Sequence, residues 1–374
     1  MFSVFSTKRR FRAGVRQRFA NVTKNVRFLL SKEESFMQRV TIKDVARLAG
    51  VSVTTVSRAL NHAPEISGET RERVLRICRE QGYRTNLLAR SLSSSRTNLL
   101  GLVVPDVSNP FHAARALNIE LCAQAAGYQL MLCSSHLEKG QMERLFDLLF
   151  SQRVDGILMS SDGDGAFALA RRCQGVVPYV LLGAYAPEDS PRRANTVSVD
   201  NYAGGRMAAE YLYRLGHRKT AYLGLRENST THALRHQGFL SAAEELGMSV
   251  ETLLNPFSSS SIESGCHLAR QFFSKPFSQT AVFAASDSVA LGFIQVADER
   301  GVSIPNQLSI LGFDNIEYAA LPNIRLTTLS QNTPELAQSA LHLLLSLIEN
   351  GDGGGYTRRL ITPSIIERST CRAL

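Results

Sequence analysis

A short stretch of the chain, VTIKDVARLAGVSVTTVSRALN at residues 40–61, carries side chains suited to contacting nucleic acid. Its second half is rich in small or hydrogen-bonding side chains and includes a basic one. Short side chains let a helix lie deep in a major groove, and a guanidinium can reach a guanine edge or a phosphate. The candidate DNA contacts here are Thr41, Ser52, Val53, Thr54, Thr55, Ser57, Arg58 and Asn61.

Two short helices joined by a tight turn are predicted to position these side chains. Thr41 can cap the first helix, with Asp44 three residues on in capping-box position, and Gly50 ends it. Ser52 can cap the second helix. Apolar residues at helical spacing would point inward, namely Ile42, Val45, Ala46 and Ala49, then Val56 and Leu60. Such helix pairs also serve as plain scaffolding, but the turn chemistry, capping and basic polarity together favour DNA binding.

The pattern DVA-x-x-AGVS-x-x-TVSR-x-LN resembles the headpiece of the lactose/galactose repressor family of bacterial transcription regulators. The resemblance runs on from about Thr41 to Arg368. It is accompanied by a predicted third helix at residues 67–81, closed by Gly82. The family resemblance implies a sequence-specific DNA-binding regulator, a repressor in the simplest reading, with double-stranded palindromic operator DNA as its partner.

The segment YRTNLLARSL at residues 83–92 is similar to the hinge helix of the same family, which folds on operator DNA. The resemblance implies DNA contacts by Tyr83, Asn86, Ala89 and Leu92, with Leu92 as the wedge in the minor groove. Such a wedge costs a few kcal/mol of unstacking, offset by the contacts that a bent duplex allows. Leu92 could instead be an ordinary linker residue. Thr85 stands where many relatives carry proline, so we expect a looser hinge.

The charge distribution agrees with DNA binding near the N-terminus. Residues 38–98 hold 11 Lys and Arg against 5 Asp and Glu, a net charge of +6, whereas residues 99–374 hold 22 against 26, a net of −4. A basic region supplies salt-sensitive attraction to phosphates, and base contacts add the specificity.

The first 37 residues form a basic extension with 9 Lys and Arg against 2 Asp and Glu. We consider a misassigned start, with translation beginning at Met37, a flexible DNA-binding arm, and an organelle transit peptide, and we favour the first. The predicted organisation is then an extension at 1–37, a helix-turn-helix headpiece at 38–84, a hinge at 85–97 and an effector-binding and dimerisation domain at 98–374.

Downstream of the hinge, short apolar runs typical of strands alternate with helical segments. One series of runs covers residues 99–104, 129–133, 156–159, 179–182 and 197–199. A second series covers 221–225, 281–284 and 309–313, with helices near 231–246, 263–273 and 287–299. This alternation predicts doubly wound parallel sheets. The resemblance implies two such lobes, as in periplasmic binding proteins, with lobe 1 at about 98–201 and 332–357 and lobe 2 at about 202–331 and 358–372.

Ligands of such sheets bind beyond the carboxyl ends of the strands, and several polar residues follow strands here. The candidate effector contacts are Asn109, Phe111, Ser160, Thr231, Arg235, Ser286, Asp314 and Gln331. Thr231 and Arg235 share a helical face, and Arg235 and Asp314 look like the family's donor and acceptor pair for sugar hydroxyls. Each residue could instead cap a helix, stabilise a turn or form a salt bridge between the lobes. Asp287 is expected to cap its helix.

The departures from the family limit what the effector can be. Gly183 and Ser260 fall where several sugar- or purine-binding relatives place an acid and an aromatic, and Ser229 stands where the purine-responsive relative has an arginine. These differences argue against a purine. The chain has no Trp, so Phe111 is the first candidate to cover a sugar face, and Tyr185 and Phe313 are the next candidates. We expect a small carbohydrate or sugar derivative.

Other classes of protein find little support. The chain lacks the common cofactor-loop, nucleophile-elbow and zinc motifs, so we expect neither catalysis nor a cofactor or metal. A transport protein would need an export signal, and no apolar run approaches the ~20 residues that span a bilayer. The six cysteines lack paired spacing and indicate free thiols in a reducing cytosol. The family resemblance implies a bacterial cytoplasmic, nucleoid-associated protein. No heptad tail follows the last strand, so a homodimer is the simplest assembly.

Overall fold

The computed structural model describes residues 40–60, 63–83, 96–135, 140–160, 164–183, 193–226, 229–257, 259–351 and 355–374. The chain forms two compact units, Met1–Ser95 and Arg96–Leu374.

The first unit is a small three-helix domain built on the predicted caps. Its helices are α1 (Ile42–Ala49), α2 (Val53–Leu60) and α3 (Gly68–Glu80). Thr41 and Asp44 form a complete capping box on α1, and Gly50 ends that helix in the left-handed conformation with a φ of 66°. The three helices pack around an apolar centre formed by Val45, Ala46, Ala49, Val56, Ala59, Val74, Ile77 and Cys78. Because this centre is small, the caps carry a large share of the local stability.

The second unit contains two six-stranded sheets, as the alternation of strands and helices predicted. The strands are β1 (Leu99–Val104), β2 (Gln129–Ser134), β3 (Gly156–Ser160), β4 (Tyr179–Leu182), β5 (Thr196–Val199), β6 (Lys219–Leu225), β7 (Ser249–Leu254), β8 (Ala281–Ala284), β9 (Ser309–Asp314), β10 (Thr327–Ser330), β11 (Arg358–Ile361) and β12 (Ser364–Ile366). The first sheet has the order β11-β5-β4-β3-β1-β2 and the second has the order β12-β10-β9-β8-β6-β7. All recorded pairs are parallel except β10 with β12.

Helices cover these sheets and complete each lobe. They are α4 (Pro110–Ala125), α5 (Gln141–Ser151), α6 (Asp164–Cys173), α7 (Asn201–Arg214), α8 (Thr230–Glu245), α9 (Ile262–Phe272), α10 (Asp287–Glu299) and α11 (Thr333–Asn350), with a short 3-10 helix at Glu317–Ala320. In the first lobe α11 packs against α4 and the strands β3, β4 and β5, whereas in the second lobe α7 pairs with α8 and α9 with α10.

The chain passes between the two sheets three times, after β5, after β10 and after β11. The last of these crossings corrects the expected lobe boundary. We predicted that lobe 2 resumes at residue 358, but Arg358–Ile361 extends the first sheet by pairing in parallel with β5. The crossing therefore falls after Ile361, and only β12 and the residues that follow it return to the second lobe.

Two glycines allow α7 and α8 to touch backbone to backbone. A Cβ on Gly205 would lie 2.0 Å from the carbonyl oxygen of Arg235, and one on Gly238 would lie 2.0 Å from that of Tyr202. No larger side chain fits at either place. This contact fixes the distance between Asn201, at the start of α7, and Arg235 on α8.

The six cysteines are free thiols in this structure, four of them buried and Cys122 and Cys371 half-buried. None of the described helices is both long enough and apolar enough to cross a bilayer.

Candidate functional site

The headpiece presents a polar surface on α2 while the opposite side of that helix is buried. Ser52, Val53, Thr54 and Arg58 are exposed, and Thr55 and Ser57 are half-buried. Ser52 caps the helix, because its Oγ accepts a hydrogen bond from the Thr55 amide at 3.0 Å and lies 2.9 Å from the Thr55 hydroxyl. The predicted DNA-facing side chains of α2 therefore share one accessible surface.

The remaining predicted DNA contacts differ in position. Thr41 is exposed at the start of α1, where its hydroxyl donates to Asp44 at 2.7 Å. Tyr83 is half-buried and packs against the headpiece core, and burial raises its pKa. Asn61, Asn86, Ala89 and Leu92 lie outside the described residues.

A cavity of about 440 Å³ lies between the two lobes of the second unit. Its walls come from the segments that follow β1, β3, β4, β6, β7, β8 and β9, and from two of the crossings. This is the expected position for a ligand of doubly wound sheets, and the volume is in the range of small-molecule sites. All eight predicted effector residues line the cavity: Asn109, Phe111, Ser160, Thr231, Arg235, Ser286, Asp314 and Gln331.

Arg235 is 3 % exposed and is held from several sides. Its Nη2 donates to Asn201 Oδ1 at 2.7 Å, its Nη1 donates to the carbonyl oxygen of Ala285, and its guanidinium stacks 3.4 Å from the centroid of the Phe313 ring. Since both its position and its orientation are fixed, the guanidinium presents its donors without an ordering cost on ligand binding.

Asp314 ends β9 in an unusual backbone conformation. Asp314 and Asn315 have φ values of 125° and 56°, a region that residues with side chains seldom adopt and that is often found at ligand clamps. Arg368 supports this turn by donating to Asn315 Oδ1 at 2.7 Å. Burial raises the pKa of Asp314, the charges of Arg235 and Arg115 lower it, and Asp287 raises it. Burial outweighs the two guanidinium groups, so the carboxyl holds its proton more tightly than in water.

Asp287 supports Asp314 from behind and does not cap its helix, which corrects our expectation. The cap of α10 is Ser286, whose Oγ accepts from the Val289 amide at 3.3 Å. The carboxylate of Asp287 instead accepts from the Ile316 amide at 2.9 Å and from the Thr328 hydroxyl at 2.6 Å. It thereby ties the turn after β9 to β10.

The first lobe contributes Asn109 and Phe111 at the start of α4. Asn109 caps this helix by accepting from the Phe111 amide at 3.0 Å, and its Nδ2 donates across the cleft to the carbonyl of Ser260 at 3.4 Å. Phe111 packs on the apolar cluster of the second lobe. Asn109 therefore serves as a cap, as the alternative interpretation anticipated, and both residues bridge the lobes without a salt bridge while they also line the cavity.

Sequence reasoning missed Arg115, which lies inside α4 and is 4 % exposed. Its Nη1 donates to the Ser160 hydroxyl at 2.8 Å, its Nη2 to Gln331 Oε1 at 3.4 Å, and its guanidinium lies 4.3 Å from the centroid of the Phe111 ring. An arginine six residues after the Asn109 cap, on a turn that faces the sheet, was the available signal.

Asn201 and two histidines were also missed. Asn201 orients Arg235, and His112 and His232 line the same cavity. Burial lowers the pKa of each histidine to about 3, with the charges of nearby arginines as a further cause. Both are neutral at physiological pH. No group of three possible metal ligands occurs among the described residues.

The chain matches known proteins in both units. Residues 41–86 match the model of bacterial regulatory proteins, lacI family, and residues 209–371 match that of a periplasmic binding protein-like domain. The chain is 33 % identical over 340 residues to the HTH-type transcriptional regulator DegA of Bacillus subtilis (strain 168), a match that covers 90 % of this chain and 99 % of DegA.

The chain is also similar to solved structures of transcription regulators. A Lac repressor dimer bound to operator and the anti-inducer ONPF is 26 % identical with a TM-score of 0.78, and the match covers 90 % of this chain and 100 % of the repressor. The transcriptional regulator CelR in complex with cellobiose is 29 % identical with a TM-score of 0.65, over 89 % of this chain and 100 % of CelR.

A helix-turn-helix headpiece joined to a two-lobed, cleft-bearing domain defines an effector-controlled DNA-binding regulator of transcription. The chain belongs to the lacI family of bacterial regulatory proteins.

Proposed function

We propose that this regulator is a cytoplasmic, non-catalytic repressor that binds a palindromic operator as a homodimer and releases or tightens it when a sugar or sugar derivative occupies the cleft. The observation that carries the proposal is that buried polar side chains from both lobes and from two crossings meet in one cavity. A ligand there touches both lobes at once, so its binding energy differs between lobe arrangements.

Residues from each lobe supply the complementary chemistry that a polyol needs. Arg235 and Asn109 offer donors, Asp314 offers an acceptor, and Phe111 offers an apolar face. The hydroxyls of Ser160, Thr231 and Ser286 can donate or accept, which suits vicinal hydroxyls. The complex of CelR with cellobiose supports a carbohydrate as the class of ligand.

The polar surface of α2 is the proposed DNA-reading element, with Arg58 reaching a base edge or a phosphate and the short side chains allowing close approach. Leu92 remains the proposed minor-groove wedge, assisted by Asn86 and Ala89. A change in lobe arrangement would alter the spacing of the two hinges of a dimer and couple effector to operator by about 1–3 kcal/mol.

The dimer is proposed to form through α4 and the edge strand β2. Leu117 and Leu121 lie one turn apart on α4 and are 55 % and 56 % exposed, and Leu132 on β2 is 44 % exposed. Exposed leucines at this spacing suit the isologous interface of two identical chains. The operator complex of the Lac repressor is a dimer.

Selection of DNA by the full chain from a random library, followed by affinity measurement with and without sugars, tests the proposal. We expect a two-fold symmetric site with half-sites about one helical turn apart. At least one carbohydrate should both raise the melting temperature of the second unit and change operator affinity. Selection that yields no common sequence, or a ligand that binds the cleft and leaves operator affinity unchanged, would count against it.

A further inference from the structure

The deepest part of the cleft is unusually rich in positive charge. Arg115 and Arg235 are 4 % and 3 % exposed, whereas Asp314 is the only acid lining the cavity with a comparable burial of 9 % among the described residues. The other acids of the lining, Asp106 and Glu263, are less buried and so are screened by water. The buried residues that line the cavity therefore include two cations and one acid, while the buried carboxyl of Asp287 lies behind Asp314 and outside the lining.

The protein supplies Arg115 with neutral partners. The hydroxyl of Ser160, the amide oxygen of Gln331 and the ring of Phe111 surround its guanidinium. Among the described residues Arg115 forms no ion pair within 4.0 Å, and its Nε is enclosed without a hydrogen-bond partner. Burial lowers the pKa of Arg115 to about 10, so the group stays charged at neutral pH. Burying a charged group whose N–H donor has no acceptor costs free energy unless a ligand supplies that acceptor.

Space for such a ligand lies beside the guanidinium. Gly183 lines the cavity, and among the described residues other than its chain neighbours a Cβ on it would find only Arg115 Nη1 within 4 Å, at 3.9 Å. Two further enclosed polar atoms of the lining, His112 Nδ1 and Ser260 Oγ, also have no hydrogen-bond partner among the described residues. Space in the cleft therefore adjoins the buried guanidinium of Arg115, whose described hydrogen-bond partners are all neutral.

We propose that Arg115 binds an oxyanion, so that the effector is an acidic sugar derivative, with a carboxylate or a phosphate on a polyol skeleton. This inference rests on the proposed function, in which the cleft holds the effector. The planar fork of a guanidinium matches the paired oxygens of either group, and a charge-assisted hydrogen bond is about twice as strong as a neutral one. Arg235 and Asp314 remain available for the hydroxyls of the skeleton.

A matched pair of variants at Gly183 tests the central claim without any ligand. Gly183 has a φ of 87°, so Gly183→Asp and Gly183→Asn have similar backbone strain and differ in charge. If the charge of Arg115 is uncompensated, the aspartate pairs with it, and the Asp variant melts at least about 2 °C above the Asn variant at pH 7. Equal melting temperatures, or a lower value for the Asp variant, would overturn the inference.

Binding measurements on the full chain then identify the oxyanion. The probes are glucose, galactose, ribose and arabinose, each beside its aldonate, its uronate where one exists, and its terminal phosphate at equal ionic strength. We expect at least one acid or phosphate to bind about tenfold or more tightly than its neutral parent. The preference should vanish in Arg115→Gln and persist in Arg226→Gln, which removes a charge from the mouth of the same cleft. The preferred derivative distinguishes carboxylate from phosphate.

The outcomes separate this inference from the proposed function. A neutral sugar that binds and changes operator affinity, with no preference for its acid or phosphate, would overturn the inference and leave the proposed function standing. An anion preference that survives Arg115→Gln would remove Arg115 from the site. If no probe binds, the Gly183 pair decides alone, and failure to select any operator counts against the proposed function.

Discussion

The side-chain amide of Gln331 donates a hydrogen bond of 2.6 Å to the carboxylate of Asp314. Gln331 lies where the chain crosses from β10 to α11, and Asp314 ends a strand of the second lobe. Gln331 also accepts from Arg115 of the first lobe at 3.4 Å. The crossing segment therefore contacts both lobes through the side chain of Gln331. A ligand that competes for either hydrogen-bond partner changes the contact between the lobes.

Replacement of Asp314 by Asn should change the pH dependence of stability. Because burial raises the pKa of Asp314 above 3.8, the folded chain holds this proton more tightly than the unfolded chain, and wild-type stability falls as pH rises above that value. Asn keeps the acceptor for Gln331 and does not ionise. We expect Asp314→Asn to gain stability over wild type as pH rises from 4 to 8, by about 1.4 kcal/mol per unit of pKa shift.

Thermal melts across that pH range measure the gain. Burial also raises the pKa of the neighbouring Asp287, and because its charge acts on Asp314, the pH-dependent gain belongs to the pair of carboxyls. A stability difference that does not vary with pH would show that Asp314 keeps its ordinary pKa.

Replacement of Arg235 by Ala is expected to abolish the effector response while operator affinity without effector stays within about threefold of wild type. Arg235 is fixed against Asn201 and Phe313 in the cleft, far from the headpiece in sequence. Gel-shift titration with and without effector measures both quantities. Arg206→Ala, which removes the half-buried partner of the exposed Glu245, serves as the control. An intact response in Arg235→Ala would remove this residue from the site.

Truncation of Arg58 should weaken operator binding by about 1–3 kcal/mol. Arg58 is exposed on the same surface as Thr54, whereas Arg76 is exposed on α3 and pairs weakly with Glu80 at 3.9 Å. Fluorescence anisotropy at fixed salt should show the loss in Arg58→Ala and little change in Arg76→Ala. Equal losses in both variants would indicate attraction to phosphates without reading of bases.

Because α7 and α8 are in close contact, we expect one methyl group added between them to lower the free energy of unfolding strongly. In Gly238→Ala the new Cβ would lie 2.0 Å from the carbonyl oxygen of Tyr202, so the helices must separate, at a cost of about 1–3 kcal/mol or more. Gly355→Ala adds a methyl group in open space and should be neutral. Urea unfolding compares them. A Gly238→Ala variant as stable as wild type would contradict the packing.

A charge at the centre of the leucine face should prevent dimer formation. Leu117→Asp places a carboxylate where two copies of α4 are proposed to meet, whereas Val176→Asp alters a residue that is 66 % exposed at the turn after α6. Sedimentation velocity should find the first variant monomeric and the second dimeric. If Leu117→Asp remains a dimer, the interface lies elsewhere.

The sequence predicted elements well wherever local chemistry decides them. The capping box of Thr41 with Asp44 and the left-handed Gly50 depend on neighbours three to five residues away, and the structure confirms both. The apolar runs that became β1, β8 and β9 predicted where these strands end, and this placed Asn109, Ser286 and Asp314 around the cavity before any tertiary structure was considered.

The features that the sequence did not predict depend on tertiary contacts. Arg115 lies in mid-helix, and only the packing of α4 against β1 and β2, together with the crossing after β10, brings it to Ser160 and Gln331. Asp287 was expected to cap α10, but Ser286 takes that role one residue earlier, which leaves the carboxylate for Ile316. The short run Arg358–Ile361 has no local feature that selects a sheet, and its pairing with β5 comes from the last crossing.

The interleaving of the two lobes also governs the order in which a ribosome can complete them. The three-helix domain is contiguous and can fold as soon as it emerges. The first lobe lacks its edge strand β11 until Ile361 has been synthesised, and β12 of the second lobe follows only three residues later. Both lobes are therefore completed almost together, so we expect a chain cut short between β5 and β11 to expose the edge of β5 and to be a substrate for chaperones and proteases.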